Sequence, residues 1–186
     1  MSDEQKIDLS TWSHQLNLVE KASHPDPNVR LQVAIDPATP DTARMRLADD
    51  IILDVRVAVA ENPNTTPEVL GKLANDRHQD VRLKVAKHVN APSETLAELA
   101  GDTVPDIRMA VVKNSNTESE TLDKLAGDGH PDIRLEVVGH PNTSPETMYK
   151  LAGDDSADVR MAIVSNPDTP SQVLHRLLEV MLGQTV

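Results

Sequence analysis

No cysteine and no phenylalanine occur in the 186 residues, and tryptophan and tyrosine appear once each. The missing thiols exclude disulfides, thiolate zinc sites and cysteine-ligated iron–sulfur clusters. So few aromatic rings leave almost nothing on which nucleobases can stack. Positive charge is also scarce: 18 Lys and Arg stand against 30 Asp and Glu, a formal net charge of −12. Affinity for a phosphate backbone comes from clustered Lys and Arg, so DNA and RNA are not expected partners. No apolar run approaches the ~20 residues of a membrane span. The opening MSDEQKIDLS is polar and acidic, unlike a signal peptide. A cytoplasmic protein is the expectation. What is abundant is aliphatic: Leu, Ile and Val make up about a quarter of the chain, above the ~20% below which disorder is expected.

These aliphatic residues recur with a fixed period. Val/Ile-Arg dipeptides end at Arg30, Arg56, Arg82, Arg108, Arg134 and Arg160, and every interval is 26 residues without an insertion. A period of this length is the mark of a solenoid. Each block contains two helical patterns. In the second, apolar positions such as Val69, Leu70, Leu73 and Ala74 occupy one arc of a helical wheel. Thr143-Ser144-Pro145-Glu146 has the form of a capping box, as do the stretches from Thr65 to Glu68, Thr117 to Glu120 and Thr169 to Gln172. Gly101, Gly127 and Gly153 are placed to end their helices. Glu68–Lys72, Glu120–Lys124 and Glu146–Lys150 are spaced as i,i+4 pairs on a solvated face.

The first pattern, such as Asp132 to Gly139, is shorter and admits 3₁₀ geometry. With Ile133 at 0° on the wheel, Val137 falls at about 40°, Arg134 at about 100°, Val138 at about 140° and Leu135 at about 200°. The arginine therefore points into an apolar arc, where it needs a carboxylate. Asp50, Asp76, Asp102, Asp128 and Asp154 each precede a repeat arginine by six residues. They are the expected partners of Arg56, Arg82, Arg108, Arg134 and Arg160, each arginine meeting the aspartate before it or a neighbouring repeat's equivalent, in a ladder between stacked repeats. Asp54, Asp80, Asp106, Asp132 and Asp158 fall on the polar side and read as acids favoured at a helix N-terminus. Asn62, His88, Asn114, His140 and Asn166 form one further column and Asn64, Asn90, Asn116, Asn142 and Asp168 another. Both suit turns and Asx caps.

The run from Val55-Arg56-Val57-Ala58-Val59-Ala60-Glu61-Asn62-Pro63-Asn64-Thr65 through Leu70, Leu73, Ala74 and Asp76 resembles the leucine-rich repeat variant family. The likeness covers residues 24 to about 180. It implies an all-α, right-handed solenoid of six 26-residue two-helix repeats, one helix per repeat short and open to 3₁₀ geometry. The Asp-x₅-Arg spacing, as in Asp128-Gly129-His130-Pro131-Asp132-Ile133-Arg134, is also similar to HEAT repeats. The organisation expected is an N-terminal capping helix in 1–23, the solenoid in 24–180 and a tail in 181–186, one domain overall.

Catalytic and metal chemistry find little support against this background. His78 and His88 recur as His130 and His140, but a ten-residue separation lacks the spacing of metal pairs. No Gly-rich phosphate loop or nucleophile elbow is present. The informative residues are those that depart from their column. Ile51-Ile52-Leu53 replaces a polar or proline-containing loop, and packing beneath the N-terminal segment is favoured over an exposed contact patch. Arg44 stands in a column otherwise filled by Leu or Met, and Tyr149 lies on an outer helix face as a candidate anchor. Trp12, Leu16 and Val19 are expected to share the face that caps the solenoid.

The function expected is a non-enzymatic protein-interaction scaffold, with no cofactor, no metal and no catalytic residue. By analogy with HEAT arrays, the Val-Arg helices line the binding face. Candidate partner-binding positions are Gln32, Lys84 and Glu136 in one column, Glu61, Lys87 and Lys113 in another, and Tyr149. Ala58, Ala110 and Ala162 leave room between them. The partner is a protein, with no nucleic acid or membrane involved, and a homodimer through Leu178, Met181 and Leu182 of the apolar C-terminal helix is a further expectation. The alternatives are a HEAT-like enzyme or lyase-type module, and an acidic regulator that mimics nucleic acid.

Overall fold

Every Val/Ile-Arg segment folds as a helix, and every segment after the Asn/Pro turn folds as a second. The computed structural model describes residues 9–183. Helix α1 (Leu9–Lys21) precedes six helix pairs. The first helices are α2 (Pro27–Ile35), α4 (Leu53–Glu61), α6 (Gln79–Lys87), α8 (Pro105–Val112), α10 (Pro131–Gly139) and α12 (Ala157–Ser165). The second helices are α3 (Asp41–Leu47), α5 (Pro67–Leu73), α7 (Ser93–Leu99), α9 (Ser119–Leu125), α11 (Pro145–Leu151) and α13 (Ser171–Met181). Among the described residues there is no strand, and the fold is an all-α repeat solenoid. The expected 3₁₀ element is absent from them as well: both helices of a repeat are α, and in the first five repeats the second is the shorter, at seven residues in α5 against nine in α4.

The chain divides into two units, residues 1–91 and 92–186. In the first, α2, α4 and α6 pack in succession, with α3 and α5 beside them. In the second, α8, α10 and α12 do the same, accompanied by α9, α11 and α13. The core of each unit is the aliphatic columns. Val55, Val59, Leu70 and Leu73 are buried in the first unit, and Ile133, Val137, Leu125 and Leu151 in the second. Burial of such side chains contributes roughly 1.5–3 kcal/mol each.

Helix α1 packs on α2 and α3 with a different face from the one expected. Leu18 and Ala22 are buried, Val19 is half-buried, and Trp12 and Leu16 are exposed. Leu18 and Ala22 lie one turn apart on the same stripe, so the inward face is centred on that pair rather than on Trp12 and Leu16. Ile51, favoured as a packing residue, is instead exposed, so the contact-patch alternative describes it better.

The threonine column has a role other than the expected capping box. Thr65, Thr117, Thr143 and Thr169 each donate Oγ1–H to the carbonyl six residues earlier, on Val59, Val111, Val137 and Ile163, at 2.5–2.7 Å. The receiving carbonyls belong to the ends of the first helices, and those of Val59, Val111 and Val137 also accept the amides of Asn62, Asn114 and His140 at 3.0–3.3 Å. The N-cap position falls one residue later, and of the residues there only Ser144 caps with its side chain, accepting from the Thr147 amide at 3.0 Å.

The glycine ends differ too. Gly101, Gly127 and Gly153 have no positive φ, and among the described residues Gly183 alone does. The second helices close on Ala100, Ala126 and Ala152 in right-handed geometry, followed by tight turns such as Asp128 N–H to Leu125 C=O at 3.0 Å. The lysines of the second helices reach to the preceding repeat rather than to their own Glu. Lys72 meets Asp49 at 2.5 Å, Lys124 the Ala97 carbonyl at 3.3 Å and Lys150 the Asp123 carbonyl at 3.0 Å.

In the Asn column, Asn62 Oδ1 accepts from the Asn64 amide at 3.1 Å, while Nδ2 donates to the carbonyls of Ala34 and Asp36 in the preceding repeat. His88 and His140 reproduce this pattern with an imidazole. Nδ1 accepts from the Asn90 and Asn142 amides, and Nε2 lies 2.9 and 3.2 Å from the carbonyls of Asn62 and Asn114.

Thermal unfolding tests the threonine assignment. Thr117→Val removes one of the two hydrogen bonds that the Val111 carbonyl accepts and leaves the Asn114 amide at 3.0 Å, and about 0.5–1.5 kcal/mol of stability is lost. Glu120→Ala, which removes the other half of the supposed box, changes stability by less than about 0.5 kcal/mol.

Candidate binding surface

The face that points away from the core is held in register by the arginine column. Each arginine of this column is drawn inward beside the aliphatic arc, as the wheel requires, and Arg56 and Arg134 are buried. For Arg30, Arg56, Arg108 and Arg134 the carboxylate comes from twenty residues later, in the next repeat. Arg30 Nε and Nη2 contact Asp50 at 2.5 and 2.9 Å, and Arg56 contacts Asp76 at 2.6 and 3.2 Å. Arg108 contacts Asp128 at 2.5 and 3.0 Å, and Arg134 contacts Asp154 at 2.7 and 2.8 Å. The aspartate six residues before the arginine contributes its backbone instead. Nη1 of Arg56, Arg82, Arg108, Arg134 and Arg160 donates to the carbonyls of Asp50, Asp76, Asp102, Asp128 and Asp154 at 2.6–2.9 Å. The carboxylate of this aspartate also accepts the amide two residues on, as with Ile52, His78, Val104, His130 and Ser156. One aspartate thus serves as hub for two arginines and a turn.

The pairing shifts both partners. The Arg108 hydrogen bond outweighs the desolvation that opposes it and lowers the Asp128 carboxyl to about 2. At Asp50, Asp76 and Asp154, desolvation is the largest single influence and raises the value, but arginine and amide hydrogen bonds together turn the net shift downward. Arg30, Arg56, Arg108 and Arg134 are correspondingly raised by the hydrogen bond to their aspartate.

Of the candidate partner-binding residues, four pair with one another. Lys84 of α6 is ion-paired with Glu61 of α4, and Lys113, just after α8, lies 3.7 Å from Glu136 of α10. Gln32 and Lys87 are exposed. Tyr149 is 48% exposed, with the Arg176 guanidinium 5.7 Å from its ring centroid. Open depressions flank it, one of about 350 Å³ with Ser171, His175 and Glu179, the other of about 310 Å³ with Pro145, Pro170 and Val173.

The more distinctive feature is a column that sequence reasoning passed over. The residue after each arginine is apolar in all six repeats: Leu31, Val57, Leu83, Met109, Leu135 and Met161. Each is half-buried or exposed, Met161 reaching 60%. The signal was available, because Leu135 falls on the wheel opposite the core arc, where a polar residue is ordinary. In the first unit this column borders a depression of about 490 Å³ floored by Ala58 and walled by Leu31, Ile35, Val57 and Pro63, with Asp54 and Glu61 at its rim. Ile35 is 53% exposed there. Ala58 is what leaves the space, since Lys84 occupies the same column one repeat later.

Arg44 is buried beside the second-helix core and donates to Asp41 and to the Pro37 carbonyl at 2.9 Å, while its Nε has no partner. His130 lies 3.1 Å from Arg108 and 3.3 Å from Asp128. Among the described residues no group of His, Asp and Glu is arranged to hold a metal ion, and no helix is long and apolar enough to cross a membrane.

Two interventions probe the ladder. Arg108→Ala leaves the Asp128 carboxylate, 5% exposed, without its partner, and destabilises by about 3 kcal/mol, the lower end for a broken buried pair. For Asp128, the native carboxyl at about 2 lies below the reference value of 3.8. Its stabilisation is complete above the unfolded value and is lost as pH falls through the native one. It amounts to roughly 1–2 kcal/mol at neutral pH. The Tm difference between wild type and Asp128→Asn is therefore constant near neutrality and narrows between about pH 4 and pH 2.

Comparison with known proteins gives a family match and a structural match. The family model described as "Leucine rich repeat variant" matches residues 53–78. A solved structure described as a leucine-rich repeat variant with a novel repetitive protein structural motif is similar at a TM-score of 0.63 and 28% identity. That likeness covers 81% of this chain and 60% of that one, so this chain spans less than two thirds of the length of its structural relative. No curated protein matches the chain.

Proposed function

We propose that this chain, whose repeats are leucine-rich repeat variants, is a non-enzymatic scaffold that binds protein segments on the outward face of the first helices within each unit. The observation that carries the reading is the column Leu31, Val57, Leu83, Met109, Leu135 and Met161, apolar in every repeat and incompletely buried. An aliphatic residue kept six times on the side away from the core gains only part of its burial from folding. Against a partner, it gains burial worth about 25 cal/mol per Å².

The flanking columns give the face its selectivity. Asp54, Asp80, Asp106, Asp132 and Asp158 are exposed beside the apolar column, so a segment alternating aliphatic and cationic side chains complements both. Lys84 and Lys113 are engaged with Glu61 and Glu136, and a partner's charges compete for these pairs. Lys87 has no ion pair among the described residues and stands ready for a carboxylate. The depression at Ala58 accepts one large apolar side chain. Tyr149, on the second-helix side, belongs to a different surface and is not part of this face. A cytoplasmic setting forms part of the same proposal.

The test uses variants at exposed positions, so that the fold is untouched. Ile35→Glu combined with Met161→Glu is expected to leave the Tm within about 2 °C of wild type, as surface substitutions do. Proteins retained by wild-type chain, identified by mass spectrometry, are lost from the variant. Reversal of Lys84, Lys87 and Lys113 to Glu weakens the same interactions. A set of retained proteins identical for all three chains refutes the first-helix face.

A further inference from the structure

The depression of about 490 Å³ in the first unit combines an apolar lining with an unbalanced rim. It is lined from α2 and α4, with Leu31, Ile35, Val57 and Pro63 as walls and Ala58 as floor. The floor belongs to a column with its own rhythm. Two residues after each repeat arginine stand Gln32, Ala58, Lys84, Ala110, Glu136 and Ala162, so alanine returns at every second repeat. The core does not share this rhythm: four residues after the arginine, Ala34, Ala60 and Ala86 are followed by Val112, Val138 and Val164. Packing of the core therefore does not account for the alternation. The fold accepts a long polar side chain in the floor column, as Gln32 of α2 and Lys84 of α6 demonstrate.

The acids near the depression are not equivalent. Glu61, at the C-terminal end of α4, is ion-paired with Lys84. Asp36, which follows α2, accepts the Ala38 amide at 2.8 Å and lies 3.2 Å from His14 Nε2. Asp54, in the first turn of α4, is exposed and has no ion pair among the described residues. One end of the depression is thus closed by a neutral pair, and the other presents an uncompensated carboxylate. Asp54 and Ala58 are four residues apart on one helix, about 6 Å along its axis. Alternate residues of an extended segment share a face and are about 6.6 Å apart.

We propose that this depression is a pocket for a basic–aliphatic motif of a partner protein: a large aliphatic side chain fills the space over Ala58, and a Lys or Arg two residues away in an extended segment pairs with Asp54. The proposal rests on the first-helix surface described above and narrows it to one site and one arrangement of residues. Burial of the aliphatic side chain supplies the affinity. The lone carboxylate supplies the orientation, because Glu61 at the other end already holds Lys84. A segment without the cation covers Asp54 and leaves it unpaired, and one with an acid in its place meets like charge.

Peptide titrations followed by the amide chemical shifts of the full chain test the pocket. The probe is the acetylated, amidated peptide Ser-Lys-Ser-Leu-Ser-Gln-Ser. Saturable shifts are expected at the amides of Leu31, Ile35, Val57 and Ala58. Exchanging the peptide's Leu for Ala, or its Lys for Glu, raises Kd about tenfold. Ala58→Gln, which copies Gln32 of the same column, abolishes binding with unchanged Tm. Asp54→Lys reverses the preference, so that the Glu peptide binds more tightly than the Lys peptide, a result that a merely structural aspartate would not produce. Lys-peptide binding that survives Ala58→Gln overturns the pocket. So does an unchanged preference in Asp54→Lys, or the absence of saturable shifts at millimolar peptide. In any of those events, cell proteins retained by wild type and lost on Met161→Glu leave the wider surface standing, and retention of all of them refutes that reading too.

Discussion

Within each unit, a recurring aspartate joins one repeat to the next. Its carboxylate takes a bidentate grip from the arginine of the preceding repeat, and its carbonyl takes the arginine of its own. At Asp128 these are Arg108 and Arg134, and the His130 amide closes the turn on the same carboxylate. A guanidinium in an aliphatic arc is tolerable only when its donors are met, and this geometry meets three of them with groups the loop already possesses. The side chain thereby fixes the distance between successive first helices, which in turn sets the spacing of everything on their outer face.

The sequence shows the period, the two helices per repeat and the inward course of the arginine, because each follows from a column of one residue type. Partners were harder to read. A column reveals which residue recurs, not whether it looks forward or back by one repeat. Asp128 is six residues from Arg134, yet its carboxylate serves Arg108 at a separation of twenty. The same ambiguity hid the lysines, for Lys72 has Glu68 one turn away and reaches Asp49 instead. Thr65-Thr66-Pro67-Glu68 spells a capping box with the wrong residue as cap, since the first threonine is engaged by the carbonyl of Val59. Local signatures were outcompeted where a stacked neighbour or a helix end offered an acceptor.

The outer face was legible in part. The charged columns were visible as variation, and Glu61, Lys84, Lys113 and Glu136 do come together, though as pairs between neighbouring repeats rather than as free charges. The apolar column beside them escaped notice because a leucine is assigned to the core by default. Only the wheel angle of Leu135, measured against Ile133 and Val137, separates the two cases. The histidines were legible from their column. His88 and His140 attract attention as titratable groups, but each presents an acceptor to one amide and a nitrogen to one carbonyl, as asparagine does at the same place. They are turn residues written in a different alphabet.

The stapling of the connections has a consequence for how such a chain diversifies. The Asp-to-Arg connection is bridged end to end by a guanidinium on a carbonyl, and the connection between paired helices by a threonine hydroxyl on another. An added residue in either would break a buried hydrogen bond, and the uniform 26-residue period shows that none has been added. Many folds acquire new specificity by lengthening a surface loop. Here that route is closed, and novelty is confined to exchanging side chains at outward columns or to changing the number of repeats.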